Sequence, residues 1–552
     1  MDTTDNVVPR REIPGAAAFR RRGWWEGRLI VDYVDDHALR IPGKIALVDS
    51  RGALTYGEIR TRTRNLAAAL LELGLQPGDV VAVQAPNWAE LVLAHLALDR
   101  IGMIFVPLHD GFREHEMRHL LALAKVRAII YPPSFRDFDH RALLAHIQPV
   151  LPNLRHHIVL RAEPEEGEHS FDALAGDGGW EARRGPDFLE RHRPSSSDPL
   201  EVMVSSGTTA LPRCSLYCDD ATLHLIRHQY GQQSCRLAEH DVAISIAPAG
   251  TGATGYIFPI VAPLLFGAKS VLLERWDGNN PGFALDLMVE HAATYVVLIP
   301  TQLVKLVSAQ REQPRRIPSL RFISNAGAKL ADSVAEEAEQ LFNCVIQTIY
   351  GATDGGVPVM TSTDDPTQKR RTAGKLLEGA EMRLLRDDGS DAAAGEPGEV
   401  VWRGANGGFG YLNDPEGTAT VWDEEGWYHS GDMGMLDADG YLFIVGRKKD
   451  MIIRGGRNIN PRAIEEMLLR HPAVLDVAIV PLPDTTLGEI VGAVVVPVSG
   501  TTPTLAELKQ FLLDQGMAVW YQPERLLLLD DLPRNAGAKI DKHKLVQKFT
   551  SV

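Results

Sequence analysis

Residues 202–214 read Val-Met-Val-Ser-Ser-Gly-Thr-Thr-Ala-Leu-Pro-Arg-Cys. An apolar run, Val202 to Val204, passes directly into Ser205-Ser206-Gly207-Thr208-Thr209 and on to Pro212 and Arg213. Small residues in a turn let backbone N–H groups and hydroxyls converge on phosphate oxygens without side chains blocking the approach. Taken alone, these five residues also suit an ordinary surface loop. What surrounds them decides the reading.

On the N-terminal side, from Ile45 to about residue 160, short apolar runs (IALVD, VVAVQAP, AIIYPP) alternate with helical stretches such as Asn65–Leu73. That alternation is the signature of strands linked by crossover helices. It returns in VAISIAP, SVLLERW, TYVVLIP and LRFISNAG, so a second α/β layer is expected over about 200–350. After Gly379 the chain turns strand-rich and glycine-punctuated, which predicts a β-rich subdomain ending near Gly446. The last hundred residues predict a compact α+β domain. Pro461 suits the first turn of a helix, AVLDVAIVPL is a strand, and Thr504 with Glu507 forms a capping box for a helix through Leu513. The expected fold is therefore α/β: a large N-terminal domain, 1–448, of two α/β subdomains plus the β-rich one, and a small α+β domain, 449–552.

Length and composition agree with a large multidomain enzyme. At 552 residues, 45% hydrophobic and 23% charged, the chain exceeds the roughly 250–300 residues at which single cores stop growing. A formal net charge of −15 argues against a nucleic-acid partner held by phosphate neutralisation. The four cysteines, Cys214, Cys218, Cys235 and Cys344, include no CxxC pair and fit a reducing compartment. The N-terminal MDTTDNVVPRREIPGAAAFRRRGWW has no apolar stretch suited to a signal peptide, and no run nears the roughly 18 residues of a membrane span. A cytoplasmic protein without a membrane partner is expected, with a homodimer left open.

Three further segments follow the small-residue turn: Tyr350-Gly351-Ala352-Thr353-Asp354, Gly431-Asp432, and Lys539 near the C-terminus. In this order and spacing the four resemble the adenylate-forming superfamily of acyl-CoA synthetases, aryl acid-AMP ligases, nonribosomal adenylation domains and firefly luciferase, over nearly the whole chain. The resemblance makes Ser205, Ser206, Gly207, Thr208, Thr209 and Arg213 the phosphate contacts of ATP. It also exposes a departure. The family pattern continues with glycine, a variable residue, proline, lysine and often glycine, where this chain has Ala210, Pro212, Arg213 and Cys214. Arg213 keeps a cation but exchanges a compact ammonium for a planar fork. Asp219, near where many relatives carry histidine, receives no role.

By the same resemblance Tyr350 and Gly351 stack against adenine, Gly327 and Ala328 form the opposite wall, Thr353 contacts the α-phosphate, and Asp354 holds Mg2+. Asp354 is one methylene shorter than the family glutamate but keeps hard oxygen ligands. Asp432 matches the acid that accepts both ribose hydroxyls, a match of paired acceptors to a diol. Arg447 matches a nucleotide-contacting arginine, Lys449 the pivot of a mobile C-terminal domain, and Gly455-Gly456 the coenzyme A tunnel. Lys539 matches the lysine that bridges substrate carboxylate and α-phosphate, where an ammonium stabilises charge developing on phosphorus oxygens. Gly537 and Ala538 stand exchanged relative to the family order.

No acidic residue lies between Asp241 and Glu274, where amino-acid-activating relatives place an aspartate, so a free α-amino acid is not expected. The same region carries Ala249, Gly250, Thr254, Gly255 and Tyr256, and Gly355-Gly356 follow the adenine motif. Missing side chains enlarge a pocket, which predicts a bulky alicyclic, aromatic or polycyclic acid held by apolar contact. The alternative is that these glycines only shape backbone turns. The Phe19–Trp25 segment, FRRRGWW, is similar to that of aryl acid-AMP ligases and alicyclic acid-CoA ligases. The expected reaction is a two-step ligation: carboxylate and ATP give acyl-AMP and pyrophosphate, then the thiol of coenzyme A, or of an acyl carrier protein, takes the acyl group. A noncatalytic nucleotide-binding relative and a luciferase-like oxygenase are the other classes.

Overall fold

The structure, a computed structural model, describes residues 12–205, 211–393, 395–454, 457–534 and 540–550. The chain divides into two compact units. The first comprises Met1–Glu381 and Trp402–Tyr428, the second Met382–Val401 and His429–Val552.

The first unit is built on two sheets. In one, the strands Ile45–Asp49, Lys269–Leu272, Val242–Ser245, Tyr295–Leu298, Phe322–Asn325 and Val345–Ala352 run parallel in that spatial order. In the other, Glu201–Ser205, Ile104–Leu108, Val80–Gln84, Ala128–Tyr131 and His156–Val159 form the parallel centre. Arg213–Tyr217 and Gly410–Tyr411 are added antiparallel at its edge. The central strands read as continuous apolar runs because both of their faces are covered; every residue of Val80–Gln84 and of Ile104–Leu108 is buried. The helix Ala89–Arg100 is buried along its whole length, and its side chains join one core with strand residues of both sheets, such as Leu47 and Val81. This is the two-layer α/β organisation expected from sequence.

The helix expected over Asn65–Leu73 is longer, Tyr56–Glu72. It starts at a capping box in which Thr55 accepts from the Glu58 N–H and the Glu58 side chain returns to the Thr55 N–H. His224–Ser234, for which the sequence suggests no special geometry, winds as an eleven-residue π-helix.

In the second unit, Tyr428–Leu436 and Tyr441–Arg447 form an antiparallel pair. Beyond them, Val474–Asp484 and Gly488–Pro497 form a long hairpin, joined by Ile452–Arg454 and by Arg525–Leu528. Pro461 opens the helix Pro461–Leu468 behind an Asn460 cap, and Thr504 and Glu507 form the expected capping box of Leu505–Asp514. The α+β character read from sequence holds. No helix among the described residues is long and apolar enough to cross a membrane.

Candidate active site

The strand Glu201–Ser205 and the strand Arg213–Tyr217 are the two arms of a hairpin whose tip carries the small-residue turn. Ser205 stands opposite Arg213 in register, so the pairing closes the loop at its base. Ser206, Gly207, Thr208 and Thr209 lie outside the described residues. Pro212, on the return arm, gives its carbonyl to His119 Nε2 at 3.0 Å.

The second element is the hairpin of Val345–Ala352 and Gly356–Met360, with Thr353 and Asp354 in its turn. Alternation along Arg213–Tyr217 puts Arg213, Ser215 and Tyr217 on one face, and all three act on that turn. Ser215 Oγ donates to Asp354 Oδ1 at 2.8 Å. Tyr217 Oη donates to the Thr353 and Asp354 carbonyls at 2.9 and 3.0 Å. From the neighbouring strand, Tyr411 Oη donates to Asp354 Oδ2 at 2.8 Å. Burial pushes the Asp354 carboxyl up from its ordinary range, while the hydroxyls of Ser215, Tyr411 and Ser205 and the charge of Arg213 oppose that rise. The Arg213 guanidinium lies over the Tyr411 ring, 4.8 Å from its centroid, and 4.0 Å from Asp414.

The residues expected to contact adenine lie at the carboxyl ends of neighbouring parallel strands, where ligands of open α/β sheets bind. Phe322–Asn325 leads into the Gly327-Ala328 turn, held by Asn325 Nδ2 donating to the Ala328 carbonyl at 3.0 Å. Asn325 pairs with Thr348, two residues before Tyr350. Gly327 has φ +83°, a left-handed conformation that favours glycine, and a Cβ there would press on Ile299. Gly327, Ala328 and Gly351 are exposed and Tyr350 is half-buried. Trp402 supports the hairpin from behind. Its ring stands edge-on to Tyr350 at 6.0 Å, and its Nε1 donates to the Gly355 carbonyl at 2.8 Å.

The turn read as an acid pocket also reaches this site. Gly252, in a left-handed conformation, lies against the Thr353 side chain, with Cγ2 3.4 Å from where its Cβ would be. The idea of empty space beside the glycines requires correction. A Cβ on Gly250 would meet the His109 backbone at 2.4 Å, on Gly255 the Pro248 carbonyl at 2.0 Å, on Gly355 the Tyr428 ring at 2.5 Å, and on Gly356 the Asn406 carbonyl at 2.5 Å. The space is filled by protein, and these glycines permit close packing. Tyr256 is likewise a core residue, 1% exposed, with its hydroxyl 2.7 Å from His95 Nδ1. Ala249 is buried with its N–H donated to Asn87 Oδ1, and Thr254 is half-buried.

In the second unit Asp432 and Arg447 are directly opposed across the strand pair, and Arg447 Nε meets Asp432 Oδ1 at 2.9 Å. Sequence treats them as two separate contacts; the fold makes them one ion pair. Glu399 ties the neighbouring residues together, accepting from the Gly431 N–H at 3.2 Å and from Lys448 Nζ at 3.0 Å. Lys449 falls in the single turn Lys448–Asp450. Gly455, Gly456 and Lys539 lie outside the described residues.

Sequence reading missed Ser215, Tyr217, Tyr411 and Glu399. The polar alternation Arg-x-Ser-x-Tyr over 213–217 was a usable signal for the first two. Around Asp354 the donor set is one carboxylate and hydroxyl oxygens. Among the described residues no group of three or more His, Cys, Asp or Glu is gathered to hold an ion by itself. The hydroxyls of Ser215, Tyr411 and Ser205 occupy three of the roughly four acceptor sites of the Asp354 carboxylate, which leaves one open. That fits magnesium, which takes one or two carboxylates and shares the rest of its shell with phosphates and water.

A family model described as AMP-binding enzyme matches residues 34–412, and one described as AMP-binding enzyme C-terminal domain matches 463–539. A medium-chain fatty-acid–CoA ligase of Escherichia coli is 32% identical over 96% of this chain and 92% of its own length. A salicyl-AMP ligase / salicyl-S-ArCP synthetase of Mycobacterium tuberculosis is 31% identical over 97% of this chain and 93% of its own. Among solved structures, ATP-bound MatB from Rhodopseudomonas palustris superposes with a TM-score of 0.81 at 25% identity, covering 94% of this chain and 99% of that one.

Proposed function

Because this chain belongs to the AMP-binding enzyme family of adenylate-forming ligases, we propose that it activates an aryl or alkyl carboxylic acid as acyl-AMP and passes the acyl group to the thiol of coenzyme A. The observation that carries the reading is the convergence of Ser205, Arg213, Tyr350, Thr353 and Asp354 at one end of the first unit's strands. Tyr350 offers a ring face to adenine, Thr353 a hydroxyl to the α-phosphate, and Arg213 a cation to the phosphates. Asp354 would hold magnesium, which when bound would supply neutralising positive charge. Lys539 stabilises the charge that builds as the carboxylate attacks phosphorus. The paired Asp432 and Arg447 take the ribose and the nucleotide. Residues 449–552 turn about Lys449 between the two half-reactions, bringing Gly455-Gly456 toward the thiol.

The acid carries no α-ammonium, since 242–273 contains no carboxylate to pair with one. With the glycine positions filled, benzoate- or salicylate-sized acids fit the reading better than polycyclic ones. Names of relatives lean both ways on the acceptor: fatty-acid–CoA and naphthoate–CoA ligases favour coenzyme A, and the salicyl-S-ArCP synthetase favours an acyl carrier protein as second reading. The four free cysteines support a reducing, cytoplasmic setting.

The test is thioester formation across benzoate, salicylate, octanoate, cyclohexanecarboxylate and a naphthoate, with coenzyme A or a phosphopantetheinyl carrier protein, beside Lys539→Ala. Expected is a coenzyme A thioester with a single-ring acid, lost in Lys539→Ala. Thioester only on the carrier protein selects the second reading, and ATP binding with no turnover of any acid overturns the ligase.

A further inference from the structure

The geometry points to Tyr411 as a positioning residue that, together with Ser215, fixes the Asp354 carboxylate and couples it to Arg213 of the phosphate hairpin. This rests on the reading above, in which Asp354 holds magnesium beside the nucleotide.

Tyr411 and Ser215 are cross-strand partners in register, and each serves a different oxygen of the same carboxylate at 2.8 Å. A carboxylate on a single methylene can rotate. Two donors from two paired strands select one rotamer and leave the remaining lone pairs to face away from them. The same Tyr411 ring lies under the Arg213 guanidinium at 4.8 Å, so one side chain touches both the acid and the cation. Cation–ring and hydroxyl–carboxylate contacts then hold opposite charges apart in fixed relation.

Tyr411 is itself anchored. Its backbone N–H donates to Thr418 Oγ1 at 2.9 Å, and its ring meets Trp422 edge-on at 5.2 Å. Neither support uses the phenol oxygen, so Tyr411→Phe preserves the packing and the ring under Arg213 while it removes the phenol's hydrogen bonds to Asp354 and Arg213. A residue that only stabilised the fold would lower ATP affinity to the same degree with and without metal. One that orients a magnesium-holding acid affects only the metal-dependent part.

The experiment compares the full-length chain with Tyr411→Phe, Asp354→Asn and the double variant. The readouts are equilibrium ATP binding in Mg2+ and in EDTA, half-saturating Mg2+ in acid-dependent pyrophosphate exchange, and thermal unfolding. Expected for Tyr411→Phe is an increase of about tenfold in both the ATP dissociation constant in Mg2+ and the half-saturating Mg2+, as for loss of a hydrogen bond to a charged acceptor. Binding in EDTA and the unfolding midpoint should stay near wild type. In the Asp354→Asn background the same substitution should change Mg2+-dependent binding by less than about twofold, because the group it acts through is gone. Equal losses in Mg2+ and EDTA, or an undiminished loss in the Asp354→Asn background, overturn the inference. If no acid supports exchange in wild type while Tyr411→Phe still weakens only Mg2+-dependent ATP binding, the ligase reading fails and the positioning role stands.

Discussion

The strand Glu201–Ser205 has a carboxylate site at each end, and the two are managed in opposite ways. At its C-terminal end Ser205 faces Asp354, whose oxygens receive the hydroxyls of Ser215 and Tyr411 and whose neighbour is the Arg213 guanidinium. At its N-terminal end Glu201 lies among Asp99 and Asp219, all three 1% exposed. Asp219 and Asp99 accept the Ile30 and Val31 N–H groups and share a hydrogen bond with each other. Among the described residues no guanidinium or ammonium pairs with Glu201. Arg100, next to Asp99 in the chain, is committed to Asp35 at 2.9 Å.

Burial raises the carboxyls at both ends, and more at the inner one. It pushes Glu201 up to about 8 and Asp99 up to about 6, and raises Asp219 well above the carboxylate range, with the neighbouring carboxyl charges adding to the rise at Glu201 and Asp219. Burial raises the Asp354 carboxyl as well, but hydroxyl donors and the Arg213 cation oppose that rise. At the inner end Glu201 and Asp219 are raised far enough to hold their protons near neutral pH, and with Asp99 they serve as a polar staple for the start of the helix Ile30–Arg40. The two ends of one strand thus face the acid proposed to hold metal and a cluster of acids that braces the fold.

Substitutions can break this contrast at either end. The largest effect is expected from Asp354→Asn, which keeps the volume and removes the charge. Acid-dependent pyrophosphate exchange should fall by about 10²–10³-fold in kcat/KM, comparable to losing one preorganised electrostatic group, with little loss of thermal stability.

Next comes Glu201→Gln, read by denaturant unfolding at pH 5, 6.5 and 8. A carboxyl with folded pKa about 8 and unfolded pKa about 4.3 favours the folded state fully below the unfolded value. That contribution is lost as pH rises through the window up to about 8, at about 1.4 kcal/mol per pH unit. The facing groups Asp99, Asp219, Thr222 and Tyr256 are unchanged in the variant. Glu201→Gln should therefore be more stable than wild type at pH 8, with the gap narrowing toward pH 5. A gap that does not depend on pH would mean Glu201 is already ionised in the fold.

Arg213→Lys sharpens the outer end. It keeps the charge and loses the flat contact with Tyr411, and should raise the KM for ATP by about three- to tenfold with kcat less affected. The smallest change is expected from Ser215→Ala, about threefold in half-saturating Mg2+, because Tyr411 still holds the other Asp354 oxygen.

Much of the frame was legible because its signals are local. Thr504 and Glu507 sit three residues apart and cap a helix that forms where expected, and the apolar runs of the parallel strands mark themselves. The same capping pattern at Thr55 and Glu58 was passed over, which placed the following helix nine residues late. The setting of Asp354 was not legible. Its hydroxyl partners are 139 residues upstream and 57 downstream, and no local pattern joins them. The glycines failed as evidence for a different reason. A missing side chain reads alike in sequence whether a ligand or the protein's own backbone fills the space, and at Gly250 and Gly255 it is backbone.

The most direct measurement of the central claim is the detection of acyl-AMP itself. The full-length chain is incubated with ATP, Mg2+ and a single-ring carboxylic acid in the absence of thiol, beside Asp354→Asn and Glu201→Gln at pH 7. The account expects enzyme-bound acyl-AMP in wild type and in Glu201→Gln, and almost none in Asp354→Asn. Equal adenylate in wild type and Asp354→Asn, or its loss in Glu201→Gln despite a folded chain, would contradict the division of labour between the two ends of the strand.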